Sequence, residues 1–305
     1  MNPAVSVIFF TVLSGAGFGF IVLLGAGYPM PQGALIALFA CGLAIGLTAT
    51  GLIASTFHLG HPERAWRALS QWRSSWLSRE GVMSLVTLAL FATYGFFWIF
   101  LGKRIAPLGW LSSAGAFVSV ISTAMIYTQL KTVPHWHSTL TPASYLLYSL
   151  TGGVLIAASL GSADQIDGAP VSAICIVALL CAWALKLAWW RRAARSSLAL
   201  AGSTPETATG LGFLGRVRLL ERPHTGPNYL TKEMVYRIGR KHADKVRALA
   251  LVLGALAPIA ICALVLVLSA NKIWLSAAFV FFMMGLFAER WLFFAEAEHS
   301  VSLYY

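Results

Sequence analysis

The sequence predicts an all-helical integral membrane protein with eight transmembrane helices and both termini on the cytoplasmic side. Of its 305 residues, 58% are hydrophobic and only 11% are charged, whereas soluble domains carry about 25% charged residues. The apolar residues form runs long enough to cross a bilayer. The basic residues lie almost entirely in alternate connections between those runs. These observations predict one membrane domain over 1–305, with a cytoplasmic excursion at about 191–247.

Eight apolar runs are each long enough for one membrane-spanning helix. The first follows only Met-Asn-Pro and lacks the basic n-region of a signal peptide, so we interpret it as a retained helix. Within it, Gly15 and Gly19 have the spacing of small residues at a close helix–helix contact. The runs lie at about 5–24, 34–57, 82–101, 108–128, 143–160, 171–190, 248–268 and 273–294.

The distribution of basic residues predicts the orientation. Of the 22 Lys and Arg residues, all but Lys103, Arg104 and Lys272 lie on the side that holds both termini. Basic residues concentrate in cytoplasmic loops, so both termini are expected in the cytoplasm. This topology, together with the attraction of basic residues to anionic lipid headgroups, explains the net charge of +11. No motif or aromatic platform indicates a nucleic-acid partner.

The sequence argues against a transporter, a b-type cytochrome and an iron–sulfur protein. The four cysteines lie within apolar runs without a CxxC or Cys–His pairing, so they are interpreted as small apolar residues. All seven histidines lie on the cytoplasmic side, where they cannot bridge two spans through a haem. The middle of each span lacks ionisable residues, which ion-coupled transporters normally keep at membrane depth. Lys186, Glu289 and Arg290 are interpreted as charges at inner helix ends.

One stretch, 55–81, concentrates polar chemistry between two apolar runs, with four Arg, two Glu, two His and three Trp. Ionisable groups beside hydrocarbon are costly, so this cluster is a candidate site. A loop that only sets topology is the alternative. A glycine and a proline are expected to end the second helix and to leave His58 at its cytoplasmic end. Glu80 is expected at the start of the third helix, where the helix dipole favours a carboxylate.

Further segments on the same side are interpreted from their composition. Residues 63–69 have the pattern of an amphipathic segment, with Trp66 on its apolar face. Two prolines and two histidines around a Trp predict a shaped loop at 129–142. Residues 202–215 are small and polar and predict irregular structure. Residues 231–247 predict a basic helix that runs into the seventh span.

Several spaced motifs agree with one family of membrane anchors. In order they are HLGxPxRA at 58–65, a Glu opening the next helix, Tyr127, Thr-Val-Pro-x-Trp at 132–136 and Thr-Pro at 141–142. This order covers the first six helices and resembles the membrane anchor subunit of the dimethyl sulfoxide reductase family. The resemblance implies an eight-helix, quinone-reactive subunit. It also implies two partners, an iron–sulfur subunit and a molybdopterin catalytic subunit that it contacts.

The same resemblance places the family's quinol-site His and Glu on His58 and Glu80, with Arg64 as a nearby match. An imidazole can donate to a quinone oxygen and relay protons, a carboxylate can orient that imidazole, and a guanidinium can polarise an oxygen. Tyr127 and Trp136 are expected ring contacts. A satisfied helix-end His and a helix N-terminal carboxylate are the alternatives for the first two. Three other histidines are expected to be structural or docking residues: His61, His135 and His137.

Two features depart from the reductase pattern. The reductase anchors present the 58–81 loop to the outside, whereas the charge distribution here places it inside, and the sixth and seventh helices are farther apart in sequence. Both features resemble the related anchor of a cytoplasmic, quinone-linked sulfite dehydrogenase of the bacterial inner membrane. That resemblance implies electron flow from sulfite through molybdenum and iron–sulfur clusters to ubiquinone or menaquinone. A passive anchor without quinone chemistry and a quinol-oxidising anchor of a terminal reductase are the alternatives.

Overall fold

The computed structural model describes residues 2–29, 33–161, 165–166, 169–221, 226 and 242–303. Eight of its helices are long and apolar enough to cross a membrane, which confirms the predicted number of spans. They are α1 (Val5–Ala26), α2 (Ala34–Ala54), α3 (Trp76–Leu101), α4 (Ala106–Thr128), α5 (Leu140–Leu160), α6 (Val171–Ala194), α7 (Ala243–Leu268) and α8 (Ile273–Ala295).

The helix α1 lies at the centre of the bundle. It packs against α2, α4, α5 and α8, and its buried side chains point in all directions rather than along one stripe. A helix that is hydrophobic all round is suited to this position. The first four helices pack together, as do the last four. Contacts of α5 with α1 and α4, and of α1 with α8, join the two groups. One continuous hydrophobic core runs through both.

Glycines let α1 approach its neighbours closely. A Cβ on Gly19 would overlap the backbone carbonyl of Ser149 on α5, and a Cβ on Gly17 would overlap Thr48 on α2. A Cβ on Gly15 would meet no described atom within 4 Å. The carbonyl of Gly15 instead accepts a hydrogen bond from Ser149 Oγ at 2.7 Å. The predicted close contact is therefore confirmed for Gly19, whereas Gly15 has room for a Cβ and meets α5 through its carbonyl.

Two helices begin several residues before their apolar runs. The helix α3 begins at Trp76 rather than at residue 82, because polar residues of its first turns pack against neighbouring elements. The helix α7 begins at Ala243 rather than at residue 248, so Asp244 and Arg247 belong to its first turns. Since α6 also extends to Ala194, the excursion predicted at 191–247 is shorter and occupies 195–242.

The excursion contains regular structure in its described part. Residues Pro205–Thr209 form one helical turn that begins with a capping box, in which the Thr204 and Thr207 side chains each accept from the other's backbone N–H. A 3₁₀ turn follows at Gly212–Leu214. The prediction of irregular structure at 202–215 is therefore wrong in part, since a pair of threonines satisfies the helix start. Residues 231–241 of the predicted basic helix lie outside the described residues.

The helix α7 is interrupted by a π-helical turn at Val252–Leu256. Such a turn holds an extra residue and commonly serves a local packing or functional need. Here Trp183 of α6 donates its Nε1–H to the carbonyl of Gly254 at 2.7 Å. A Cβ on Gly285 of α8 would overlap the backbone of Gly254. The wide turn thus places Gly254 against both neighbouring helices.

The connection between α5 and α6 holds the one pair of β-strands among the described residues. There Gln165–Ile166 pairs antiparallel with Ala169–Pro170. The ladder is two residues long on each side and leaves the fold class unchanged.

Candidate functional site

The polar stretch between α2 and α3 folds as two 3₁₀ segments. The first, Ser55–His58, continues α2, and the second is Pro62–Gln71. The second segment packs on α3 through Leu69, because a Cβ on Gly81 would lie 2.7 Å from Leu69 Cδ2. The predicted amphipathic segment is thus present and longer than 63–69. Its inner face lacks Trp66, which is 67% exposed, so that part of the prediction is wrong.

Glu80 lies on α3 beside Gly81, below the Pro62–Gln71 segment. Its side chain is buried, and the hydroxyl of Thr123 on α4 donates to its Oε1. Because α3 begins at Trp76, its first turn contains no acidic residue. The expected position at the helix start is therefore wrong, and a neighbouring helix rather than free helix-end amides holds this carboxylate. A carboxyl group buried in a membrane helix is costly, which makes it a functional candidate by default.

The other two predicted polar residues lie in the connection itself. His58 ends the turn that continues α2, and its side chain lies outside the described part of the structure. Arg64 is exposed, and its Nε lies 3.7 Å from Glu63 Oε1. The same carboxylate accepts from His61 Nδ1 at 3.0 Å. Among the described residues, these surface contacts do not bring Arg64 to Glu80.

The two predicted aromatic contacts belong to one cluster. Tyr127 lies one turn beyond Thr123 on α4, so both side chains share a helix face. The ring of Tyr127 meets that of Trp136 edge-on, with centroids 5.3 Å apart. Trp136 in turn stacks on Phe293 of α8 at 5.2 Å and donates its Nε1–H to the Phe293 carbonyl at 2.9 Å. The structure thus brings Tyr127 next to the Glu80–Thr123 pair, while Trp136 is held by packing against α8.

The loop between α4 and α5 is fixed by side-chain hydrogen bonds to backbone carbonyls. His137 Nδ1–H donates to Thr128 at 2.7 Å, and His135 Nδ1–H donates to Glu296 at 3.1 Å. Arg192 of α6 donates to the carbonyls of Pro134, His135 and His137 at 3.0, 3.3 and 2.6 Å. These contacts agree with the predicted shaped loop and give both histidines a structural role.

A buried ion cluster joins α6 and α8. Lys186 and Glu289 are fully buried and form an ion pair, and Arg290 Nη2 donates to Glu289 Oε1 at 2.8 Å. Lys186 Nζ lies 3.7 Å from the ring centroid of Trp189, and Arg290 Cζ lies 4.4 Å from that of Tyr145. Cation–π contacts of this kind stabilise desolvated cations. The cluster therefore carries two cations and one anion away from water.

Sequence reasoning missed this cluster because it treated these residues as helix-end charges. Lys186 lies eight residues before the end of α6, which is about 12 Å along a helix. Glu289 lies six residues before the end of α8. Opposite charges at similar depths in two spans are the signal that could have indicated a buried pair.

A small cavity lies between the Glu80–Thr123 pair and this cluster. The volume open to the centres of water molecules is ≈ 20 Å³, which suffices for a water where polar partners are present. Its polar lining includes Thr11, Ser14, Thr123, Tyr145, Tyr148 and Arg290. No group of three or more His, Cys, Asp or Glu side chains within the described ranges has the arrangement of a metal site.

Comparison with known proteins identifies the family. The profile described as "DMSO reductase anchor subunit (DmsC)" matches residues 1–295. The chain belongs to the DmsC anchor family. Membership in the DmsC family, together with eight apolar helices, makes this a multi-pass membrane protein, and it confirms the resemblance drawn from the spaced motifs.

Named relatives within the DmsC family belong to two kinds of oxidoreductase. The C subunit of the sulfite dehydrogenase of Allochromatium vinosum is 33% identical over 332 aligned positions, which cover 100% of this chain and 99% of that protein. The anaerobic dimethyl sulfoxide reductase chain YnfH of Escherichia coli is 31% identical over 187 residues, covering 57% of this chain and 63% of that one. A second anaerobic dimethyl sulfoxide reductase chain of the same organism is 30% identical over 143 residues, covering 45% and 48%. No solved structure matches.

Proposed function

We propose that this chain is the quinone-reactive anchor of a molybdopterin and iron–sulfur oxidoreductase complex, and that the complex oxidises sulfite and passes the electrons to membrane quinone. The substrate class rests on the full-length similarity to the sulfite dehydrogenase protein of Allochromatium vinosum. The observation that carries the quinone chemistry is Glu80, a buried carboxyl group bonded to Thr123 under the Pro62–Gln71 segment. A chain that only anchored soluble subunits would have no need of this costly group.

The proposed mechanism divides the work between the chain and its partners. The iron–sulfur subunit supplies two electrons, and two protons are added to the quinone oxygens. His58 donates a hydrogen bond to one quinone oxygen and can relay a proton to it. Glu80 supplies protons from within the bundle, and Tyr127 borders the ring. Arg64, which is exposed, and Trp136, which is held against α8, are also proposed to contact the quinone in the assembled complex.

The proposed partner surface comprises the connections at 55–75, 129–139 and 195–242. These connections hold most of the basic residues, so we place them, with both termini, in the cytoplasm of a bacterial cell whose inner membrane holds the helices. Large apolar side chains on the third connection are exposed, among them Phe213 and Leu220 at 82% and 87%. Exposed apolar groups of this kind suit a protein–protein interface. The membrane helices and this surface are proposed to act as one domain.

A pair of substitutions with matched controls tests the quinone site. His58→Ala should abolish quinone-linked turnover, and Glu80→Gln should slow it by ~10²–10⁴-fold, the usual contribution of a positioned proton-transfer group. Dye-linked sulfite oxidation by the soluble subunits should continue in both variants. His61→Ala and Glu63→Gln, in the same connection, should retain the unmutated quinone rate. If the first two variants assemble and reduce quinone at the unmutated rate, the chain is a passive anchor or binds quinone elsewhere.

Cross-linking of the purified complex tests the orientation and the partner surface together. A lysine-reactive cross-linker should join the iron–sulfur subunit to Lys131 or Lys245. Cross-links to Lys103 or Lys272, which lie at the opposite helix ends, would contradict both the orientation and the surface.

A further inference from the structure

We propose that the cavity between Thr123 and Arg290 holds water that carries protons to Glu80, and that Lys186 is the residue that releases them. This inference rests on the proposed function, because it describes how Glu80 regains a proton after giving one to quinone. The ligand of the cavity is water alone, since ≈ 20 Å³ of room for water centres is too small for an organic molecule.

The cavity meets the requirements for a bound water. Seven of the residues that line it have polar side chains, and its volume exceeds the ~10–15 Å³ that one water needs. The hydroxyl of Tyr148, a residue that is only 4% exposed, has no hydrogen-bond partner among the described residues and lines the cavity. Buried hydroxyls in folded proteins are paired with protein or with ordered water. A water at this position would satisfy Tyr148 and lie beside Thr123, which is already bonded to Glu80.

The charges of the ion cluster indicate which residue can lose a proton. Glu289 is paired with Arg290 as well as with Lys186. The cluster therefore has two cations for one carboxylate and a net charge of one. An arginine cannot be deprotonated in a protein, whereas a buried lysine releases its proton readily. Loss of one proton from Lys186 leaves a neutral amine beside a balanced Glu289–Arg290 pair. The cluster is therefore neutral after it has given up one proton.

The proposed transfer moves protons only, and no other bond changes. Lys186 passes a proton to the Glu289 carboxylate that it contacts. Arg290 holds the same carboxylate and lines the cavity, so cavity water beside Tyr148 is the proposed next acceptor of the proton. The water hands a proton through the Thr123 hydroxyl to the Glu80 carboxylate. Lys186 then regains a proton from the aqueous side.

An open vestibule lies on that aqueous side. It has ≈ 370 Å³ of room for water centres and is lined by Trp190, Arg247 and Glu296 among others. The ring of Trp190 separates it from the cluster, with Lys186 Nζ 5.3 Å from the ring centroid and Arg247 Cζ 5.4 Å from it. A shift of this one ring would connect Lys186 to the vestibule.

Lys186→Arg separates proton release from charge balance. It keeps the second cation of the cluster but cannot release a proton, so quinone-linked turnover of the complex should fall by ~10²-fold or more. Tyr148→Phe removes only the unpaired hydroxyl and should slow turnover several-fold while raising the solvent isotope effect measured in D₂O. Tyr28→Phe is the matched control, since it removes another buried hydroxyl without a partner among the described residues, at the far end of α1. It should change neither quantity.

A second readout does not depend on turnover. The infrared carboxyl band of protonated Glu80 can be identified by its loss in Glu80→Gln. On transfer of the protein to D₂O this band should shift as the carboxyl proton exchanges. Tyr148→Phe should lower the rate of that exchange, and Tyr28→Phe should leave it unchanged. If Lys186→Arg and Tyr148→Phe both turn over quinone and exchange the Glu80 proton at the unmutated rates while Glu80→Gln is slow, this inference is overturned and the proposed function is not. If Glu80→Gln is itself as fast as the unmutated complex, the proposed function fails first.

Discussion

Lys186 on α6 and Glu289 on α8 form an ion pair in which neither side chain is exposed. Arg290 shares the same carboxylate, so one anion serves two cations. Replacement of each partner therefore leaves a different residual charge inside the bundle. That asymmetry predicts unequal effects on stability.

Glu289→Gln should destabilise the protein more than Lys186→Met. The first change leaves two buried cations without a carboxylate, whereas the second leaves Glu289 balanced by Arg290. Loss of one partner from a buried pair costs about 3–5 kcal/mol, and this range is expected for Glu289→Gln. Thermal unfolding of the purified protein in detergent measures the difference. Equal melting temperatures for the two variants would show that the cluster does not carry the surplus cation described here.

Gly19→Ala should prevent normal packing of α1 against α5. The added Cβ would overlap the backbone of Ser149, and backbone, unlike a side chain, cannot move to another rotamer. Overpacking typically costs about 1–3 kcal/mol, and a clash with backbone is expected at the upper end. Gly15→Ala is the matched control, because its Cβ would meet no described atom within 4 Å. The yield of folded protein in the membrane fraction and its melting temperature measure both, and a Gly15→Ala variant as damaged as Gly19→Ala would contradict the contact.

Arg192→Gln should loosen the loop between α4 and α5. Three carbonyls of that loop accept from the Arg192 guanidinium, and a shorter amide side chain cannot serve all of them. We expect trypsin to cleave faster after Lys131 in this variant, and mass spectrometry of the fragments measures the cleavage rate. Arg191→Gln is the control, since Arg191 is the exposed neighbour in the same turn. Equal cleavage rates in the two variants would argue that the histidines alone hold the loop.

Glu296, just beyond the end of α8, should make stability depend on pH. Burial raises the pKa of its carboxyl above the ordinary value, and the Arg247 ion pair only partly opposes this. The folded chain therefore binds a proton at pH values where the unfolded chain has released it, so the stability contributed by this group falls as pH rises through that interval. The interval begins near the ordinary glutamate pKa of about 4.3 and extends upward. Glu296→Gln should make the melting temperature less dependent on pH there, as measured by thermal unfolding of the purified protein across this interval. Equal slopes for the variant and the unmutated protein would refute the prediction.

The number of spans and the family of the protein could be predicted from the sequence because both depend on properties of short, continuous segments. Length and hydropathy of a run decide whether it can cross a bilayer, and the motifs at 58–65 and 132–136 lie within short segments. The start of α3 could not be predicted in this way. Ser78 and Glu80 look like loop residues by composition, and only burial against neighbouring elements makes them helical.

The partners of the buried polar groups could not be predicted because helix periodicity does not say which helix faces which. Thr123 is 43 residues from Glu80 in sequence and has no feature that distinguishes it from other threonines in the spans. The pairing of Lys186 with Glu289 likewise requires α6 and α8 to lie side by side at matching depth. Arg64 shows the reverse case, since it lies near Glu80 in sequence but forms its described ion pair at the surface.

The π turn at Val252–Leu256 sets the rotation of one end of α7 relative to the other. Each helical residue turns the chain by about 100°, so deletion of a single residue within this turn would restore regular α-helix and rotate Ala243–Leu251 by roughly that angle against Ala257–Leu268. Arg247 would then face away from Glu296, its ion-pair partner in the lining of the vestibule. The direction in which Arg247 faces thus depends on the extra residue of this turn, so the rotation between the two halves of α7 is set within the helix rather than at its ends.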